Sequence, residues 1–285
     1  MSAKRTAAVL TAASMLALTG CSASSGMNRS PAMDRAAGVT AVSGGYQAAV
    51  AAVTQAGGYQ AAVAAVTQAD GTQAAVVRGW GPVVAGDEFS YAGPPDRAKW
   101  KVYKGPGHAG KGIRSPDAFA VGGGVVTVSG DAAGTTGGMS ARFAHQQYGR
   151  WEARMKTSAR DAQYHPVLLL WPNHNKSPTC AEIDYAEGTW DTTLIGFNLH
   201  HACSGPDFQT RAAAKIDTTQ WHNYAVEWTP AGITGYLDGS LWFADMDPAH
   251  QPTVGMHQTV QLDWFPNGTP TPPSQMQVDW IRVYK

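Results

Sequence analysis

Glutamate and cysteine are scarce in this 285-residue chain. There are five of the first (Glu88, Glu152, Glu182, Glu187, Glu227) and three of the second (Cys21, Cys180, Cys203). No His-Glu-x-x-His run occurs, and His200-His201 has no nearby partners at ligand spacing, so no metal is expected in the chemistry. An excess of one charge is also missing: 21 basic and 21 acidic residues cancel, which removes the electrostatic case for a nucleic-acid partner. The apolar stretch from Ala7 to Leu18 is too short to span a bilayer. From residue 79 onward no long helical periodicity appears.

The chain reads as three regions: 1–20, 21–78 and 79–285. Lys4-Arg5, the apolar stretch and Leu18-Thr19-Gly20-Cys21 look like a bacterial lipoprotein signal cleaved before Cys21. Diacylation of Cys21 would tether an exported protein to the outer face of the cell membrane, whereas an ordinary secretory signal would release it. With Cys21 lipidated, Cys180 and Cys203 remain as an even pair in an oxidising context, expected to form a disulfide. Residues 44–56 recur intact as 57–69, and a degraded third copy begins at Asp70. Two perfect copies of 13 residues do not make a solenoid, so residues 21–78 are read as a spacer.

The remaining region has the punctuation of an all-β domain. Short strands are expected at Val125–Val128, Trp151–Met155, Asn223–Trp228, Gly235–Leu237 and Met276–Tyr284, parted by turns such as Asp238-Gly239 and Pro266-Asn267-Gly268. The scarce glutamates concentrate in Glu182-Ile183-Asp184-Tyr185-Ala186-Glu187. On a strand Glu182 and Asp184 share a face, whereas strict alternation turns Glu187 away. One extra residue at Tyr185-Ala186, a β-bulge, would bring it back. Ile195, Phe197 and Leu199 alternate with Gly196, Asn198 and His200, which reads as a half-buried partner strand. A hairpin centred near Asp191 then sets Glu182 opposite His200, Asp184 opposite Asn198 and, past the bulge, Glu187 opposite Gly196. Three close carboxyls repel, which should raise the pKa of at least one and keep a proton near neutral pH.

With this run go Tyr148-Gly149-Arg150-Trp151-Glu152-Ala153-Arg154, Tyr164-His165-Pro166-Val167-Leu168-Leu169-Leu170-Trp171-Pro172, Asp87-Glu88-Phe89, Trp221 to Trp228, and Val278 to Tyr284. In that set and order the sequence resembles glycoside hydrolase family 16 over roughly residues 80 to 285. The resemblance implies a two-sheet antiparallel β-jelly-roll sandwich, concanavalin A-like, with a concave substrate groove. It also implies retaining endo-hydrolysis of a β-linked polysaccharide, with Glu182 as nucleophile, Asp184 as assisting acid and Glu187 as acid/base. The bulged form of the motif points, by the same resemblance, to β-1,3-glucan. A transglycosylase or a non-catalytic carbohydrate-binding protein of the cell surface would share the fold. Family members often carry a structural calcium, for which no ligands are assigned here; none is required for catalysis, and a monomer is expected.

All ten tryptophans lie at or after Trp80. Trp151, Trp228, Trp242 and Trp280 sit in strand patterns and are read as ordinary core or rim residues. The expected substrate-binding residues are Trp171, Trp190, Asn198, His200, Gln261, Trp264 and His165, although alternation puts Gln261 and Trp264 on opposite faces, so only one of them fits a regular strand. His165-Pro166 departs from the tryptophan-containing segment that many family members carry there.

Overall fold

A computed structural model describes residues 71–174, 180–205 and 207–285. The signal-like segment, Cys21 and the two intact repeat copies lie outside the described residues.

Two antiparallel sheets face each other. The first runs, in spatial order, β13 (Gln209–Lys215), β12 (Leu194–His200), β11 (Glu182–Gly188), β10 (Tyr164–Pro172), β17 (Met256–Trp264), β8 (Gly138–Ala141) and β2 (Trp100–Val102). The second runs β16 (Ser240–Asp245), β15 (Gly232–Leu237), β14 (His222–Thr229), β9 (Gly149–Thr157), β18 (Ser274–Tyr284), β6 (Val125–Gly130) and β5 (Phe119–Gly122), with β1 (Ala85–Asp87) also paired to β18. A small third sheet, β3 (Gly105–Pro106), β4 (Ile113–Arg114) and β7 (Thr135–Thr136), stands beside them. Every expected strand is present.

Alternation explains why these segments pair as they do. In β6, Val126 and Val128 are fully buried while Val125 and Thr127 are only partly so. Trp151 on β9, Trp228 on β14 and Phe197 on β12 all point between the sheets, and one cluster of apolar side chains fills that space. Trp151 and Trp228 are fully buried and Trp280 nearly so, while Trp242 packs against the cluster edge, as their strand patterns predict. The Asp238-Gly239 turn between β15 and β16 has positive φ at both residues (48° and 74°), the left-handed pair a two-residue type I′ hairpin demands.

One expectation is corrected at the N-terminal boundary. The spacer expected to reach residue 78 stops short, because its degraded third repeat is packed on the second sheet. Ala74 to Arg78 form a single helical turn, α1, whose Ala74 and Ala75 backbone N–H groups donate to the two oxygens of fully buried Glu152 (2.5 and 3.1 Å). Arg282 donates to Gln73 Oε1, and Trp80 packs edge-on against Tyr236 and Tyr284. Methyl side chains let this turn approach closely enough for its free N–H groups to neutralise a buried carboxylate.

Candidate active site

The hairpin of β11 and β12 forms in the expected register. Glu182 pairs with His200, Asp184 with Asn198, and Glu187 with Gly196, with a register shift between Asp184 and Glu187. The same shift appears against β10, where Leu168 pairs with Ala186 but Leu169 with Asp184. Tyr185 and Ala186 are therefore both fully buried in the core, and the Tyr185 hydroxyl donates to Gln258 Oε1 of β17 at 2.6 Å. Two inward residues in succession turn Glu187 onto the face that already carries Glu182 and Asp184.

That face is the floor of an open groove of about 870 Å³, which all three carboxyls line. Asn198 donates to Glu187 Oε2, and His200 Nε2 lies 3.2 Å from Asp184 Oδ2. The two polar residues of β12 thus serve the acids diagonal to them, not their direct Cα partners.

Burial dominates the electrostatics. It pushes Glu182 up to about 9, with the charge of Asp184 adding to it and His200 opposing. Asp184 is raised well above the carboxylate range, first by burial and then by Glu187 and Asp263, while a hydrogen bond with Glu182 pulls the other way. Glu187 is raised by burial and by Asp263, against the lowering effects of His200 and Asn198. Among the described residues Asp184 Oδ1 has no hydrogen-bond donor, and a hydrogen bond with Glu182 bears on the same carboxyl. The titration of this pair belongs to both members, and a proton resting on Asp184 leaves Glu182 a carboxylate.

Beyond the hairpin tip the groove is lined by rings. His165 packs against Phe265 (centroids 4.3 Å apart) and edge-on to half-exposed Trp190 (5.5 Å), while His108 lies 4.7 Å from Phe265. Burial, helped by Arg160, lowers His165 to about 4, so this imidazole is neutral at neutral pH and offers an apolar face. Trp171, Asn198, His200 and Gln261 also line the groove, so six of the seven expected substrate-binding residues face it.

Trp264 is the correction. It shares the parity of Val260 and Leu262, packs on the core side against Gly112 and Gly134, and donates from Nε1 to Thr271 Oγ1. Regular alternation along β17 therefore keeps Gln261 and excludes Trp264. The same alternation aims Asp263 and Phe265 into the groove. Both were within reach of the sequence, being two and four residues from Gln261. Arg114, His108 and Tyr103 come from the small third sheet and its approaches, and no local pattern announces them.

The expected disulfide is present: Cys180 and Cys203, with Cα atoms 5.0 Å apart, close the open end of the hairpin. Among the described residues, Glu182, Asp184 and His200 are the group whose ligand atoms converge, within 4.8 Å of one another. An imidazole with two carboxylates differs from the all-oxygen shell calcium takes, and a cation there would occupy the floor of the groove.

Residues 114–282, more than half of the chain, match the model of glycosyl hydrolases family 16. The chain belongs to that family. As a family 16 glycoside hydrolase it is 27% identical over 245 residues to a beta-glucanase of Rhodothermus marinus, covering 71% of this chain and 85% of that protein. In three dimensions it is similar to the laminarinase of Rhodothermus marinus (TM-score 0.59, 25% identity, 71% of this chain and 96% of that one). It is also similar to LamAcat from Zobellia galactanivorans (TM-score 0.63, 19% identity, 73% and 99%). The family 16 fold is the jelly-roll sandwich, and the hydrolase carries its acidic run on the strand that floors the groove.

Proposed function

We propose that this hydrolase is a retaining endo-β-glucanase acting on β-1,3-linked glucan. The observation that carries the reading is the bulge at Tyr185-Ala186, which sets two glutamates and an aspartate on one face of β11 in an open groove of about 870 Å³. Its likeness to the beta-glucanase and laminarinase of Rhodothermus marinus supports the substrate class.

In this reading Glu182 attacks the anomeric carbon while Glu187 gives its proton to the leaving glycosidic oxygen, so one chain end departs as an alcohol and the other stays as a glycosyl ester on Glu182. Glu187, now a carboxylate, takes a proton from water. The resulting hydroxide equivalent displaces Glu182 and regenerates the first state. Asp184 holds the shared proton, so that Glu182 attacks as a carboxylate, and keeps it while the ester stands. His200 orients Asp184, and Asn198 steadies the carboxylate form of Glu187. Trp190, Phe265 and His165 supply flat faces for pyranose rings on one side of the acids.

The proposal includes export. A disulfide between Cys180 and Cys203 belongs to an oxidising compartment, which agrees with the lipoprotein-like signal ahead of Cys21.

The test is a screen of soluble β-1,3-, mixed-linkage and galactan polymers with the purified protein, scoring reducing ends and following the first-formed anomer by NMR. Mid-chain cleavage of β-1,3-glucan with the β-anomer appearing first is the expected outcome. An α-anomer first would overturn retention, redistribution of chain lengths without new reducing ends would mark a transglycosylase, and cleavage of galactan alone would overturn the substrate. Labelled palmitate incorporated by the expressing cells, and lost in Cys21→Ala, tests the anchor.

A further inference from the structure

The groove holds a fourth carboxyl that the chemistry above leaves without a task. Asp263 sits on β17, two strands from β11, with His165 of β10 as its Cα partner, and it lines the same cavity as the acidic trio. Only 5% of it is exposed. Arg114 Nη2, itself buried, donates to Asp263 Oδ1 at 2.5 Å, and His108 Nδ1 lies 3.6 Å from Oδ2.

This pair is built from two sheets. Arg114 arrives from β4, outside the sheet that carries the trio, and passes over Gly138 of β8, where a Cβ would run into its Nη1. A Cβ there would also meet the Tyr103 ring at 2.7 Å, so Gly138 leaves room for both side chains. Burying two charges is costly, and an apolar pair of similar volume would hold the same two sheets together at least as well. The pair therefore calls for a role in which the charge itself matters.

We propose that Asp263, kept ionised by Arg114, is a positioning residue of the reaction, one whose negative charge holds a proton among Glu182, Asp184 and Glu187 at the pH where the leaving group must receive it. The inference rests on the hydrolase reading given above. Asp263 and Asp184 are themselves buried, so a unit charge two strands away is screened less than it would be on the surface. Asp263 bears on all three acids in the same direction, upward. Burial raises its own carboxyl, while Arg114 and His108 pull it back, and the guanidinium 2.5 Å from Oδ1 favours the charged form. The other charges that face the trio have the opposite sign or none. From β12 comes His200, from β13 Arg211, and from the approach to β3 Lys104 and His108. His165 on β10 stays neutral, and Arg114 is committed to Asp263. Among the described groove residues Asp263 is thus the anion outside the trio that opposes loss of the trio's proton.

The test is the pH profile of kcat/KM on whichever β-glucan the parent cleaves. With Asp263→Asn the alkaline limb should move about one pH unit lower, because the trio then loses its proton more readily. Asp263→Glu, which keeps the charge, should bring the limb back. Gly138→Ala should move it the same way as Asp263→Asn, since the displaced guanidinium no longer holds Asp263 ionised. A folded Asp263→Asn protein with an unmoved limb, or with kcat reduced by the same factor at every pH, overturns the proposal. Should Asp263→Asn fail to fold, an unmoved limb in Gly138→Ala overturns it equally. A parent that cleaves no β-glucan counts against the hydrolase reading instead, and infrared titration of the buried carboxyls in the parent and in Asp263→Asn then reads the same shift without turnover.

Discussion

Asn198 is the Cα partner of Asp184 across the hairpin, yet its amide donates to Glu187. The bulge explains the displacement. With Tyr185 and Ala186 both turned inward, Glu187 advances along the groove face, and the short Asn198 side chain reaches it diagonally. The amide favours the carboxylate form of Glu187 and so opposes the burial that favours the protonated form. Glu187 is held between the two states, as a group that must give and then retake a proton requires. Removing the amide in Asn198→Ala should raise the pKa of Glu187 and carry the alkaline limb of kcat/KM to higher pH, opposite in sign to Asp263→Asn. A limb that moves down, or not at all, would show that Asn198 serves the substrate instead.

Replacing Glu187 by Gln removes the proton donor and should lower kcat at least about 100-fold, the usual share of a general acid, with polymer binding retained in a gel-shift assay. Glu182→Gln should abolish turnover with the same retention of binding. Residual kcat within tenfold of the parent in either variant would reassign that residue.

Burial raises Glu182 and Asp184 together, so loss of the proton the pair holds opposes folding. A carboxyl whose folded pKa lies above its unfolded value binds more protons in the folded state, and the protein loses stability as pH rises from about 4.5 toward the folded value of about 9. Glu182→Gln should therefore be more stable than the parent by on the order of 2 kcal/mol, roughly 4–8 °C in a domain of this size, at pH 8. The gap should shrink toward pH 4. Thermal unfolding across that range checks both the sign and the trend.

Trp190 and Trp264 were equal candidates by composition and differ by placement. Trp190, 51% exposed at the hairpin tip, should cost about tenfold in KM when changed to Ala, with Tm nearly unchanged. Trp264→Ala should leave KM alone and cost about 3 kcal/mol of stability, because it empties a site packed against Gly112 and Gly134. Steady-state kinetics and urea unfolding of the two variants separate these outcomes.

The docked third repeat makes a further stability prediction. Ala74→Arg cannot be accommodated at a fully buried position and should free the turn, leaving Glu152 without its two N–H donors at a cost of about 3 kcal/mol. Val76→Lys, at a 46% exposed position on the same turn, should change stability by less than about 0.5 kcal/mol. Equal unfolding midpoints for the two variants would mean that the turn contributes nothing to the fold.

The strands, the hairpin register and the facing of the acidic run were all legible locally, because β-structure alternates with a period of two and any break in that period has to be a bulge or a turn. The pairing of Cys180 with Cys203 followed from their being the even pair left once Cys21 is set aside. The choice between Gln261 and Trp264 was posed by the same alternation but needed the sheet to say which face was the groove. Nothing local placed Arg114 beside Asp263 or Glu152 beneath Ala74, since each contact joins segments more than 70 residues apart. The sequence by itself determined which side chains share a face, because neighbours along a strand are bound by backbone geometry. Only the tertiary structure decided which charges are buried together, because burial and Coulomb energy depend on what distant strands bring alongside, and that is what sets the protons of the groove.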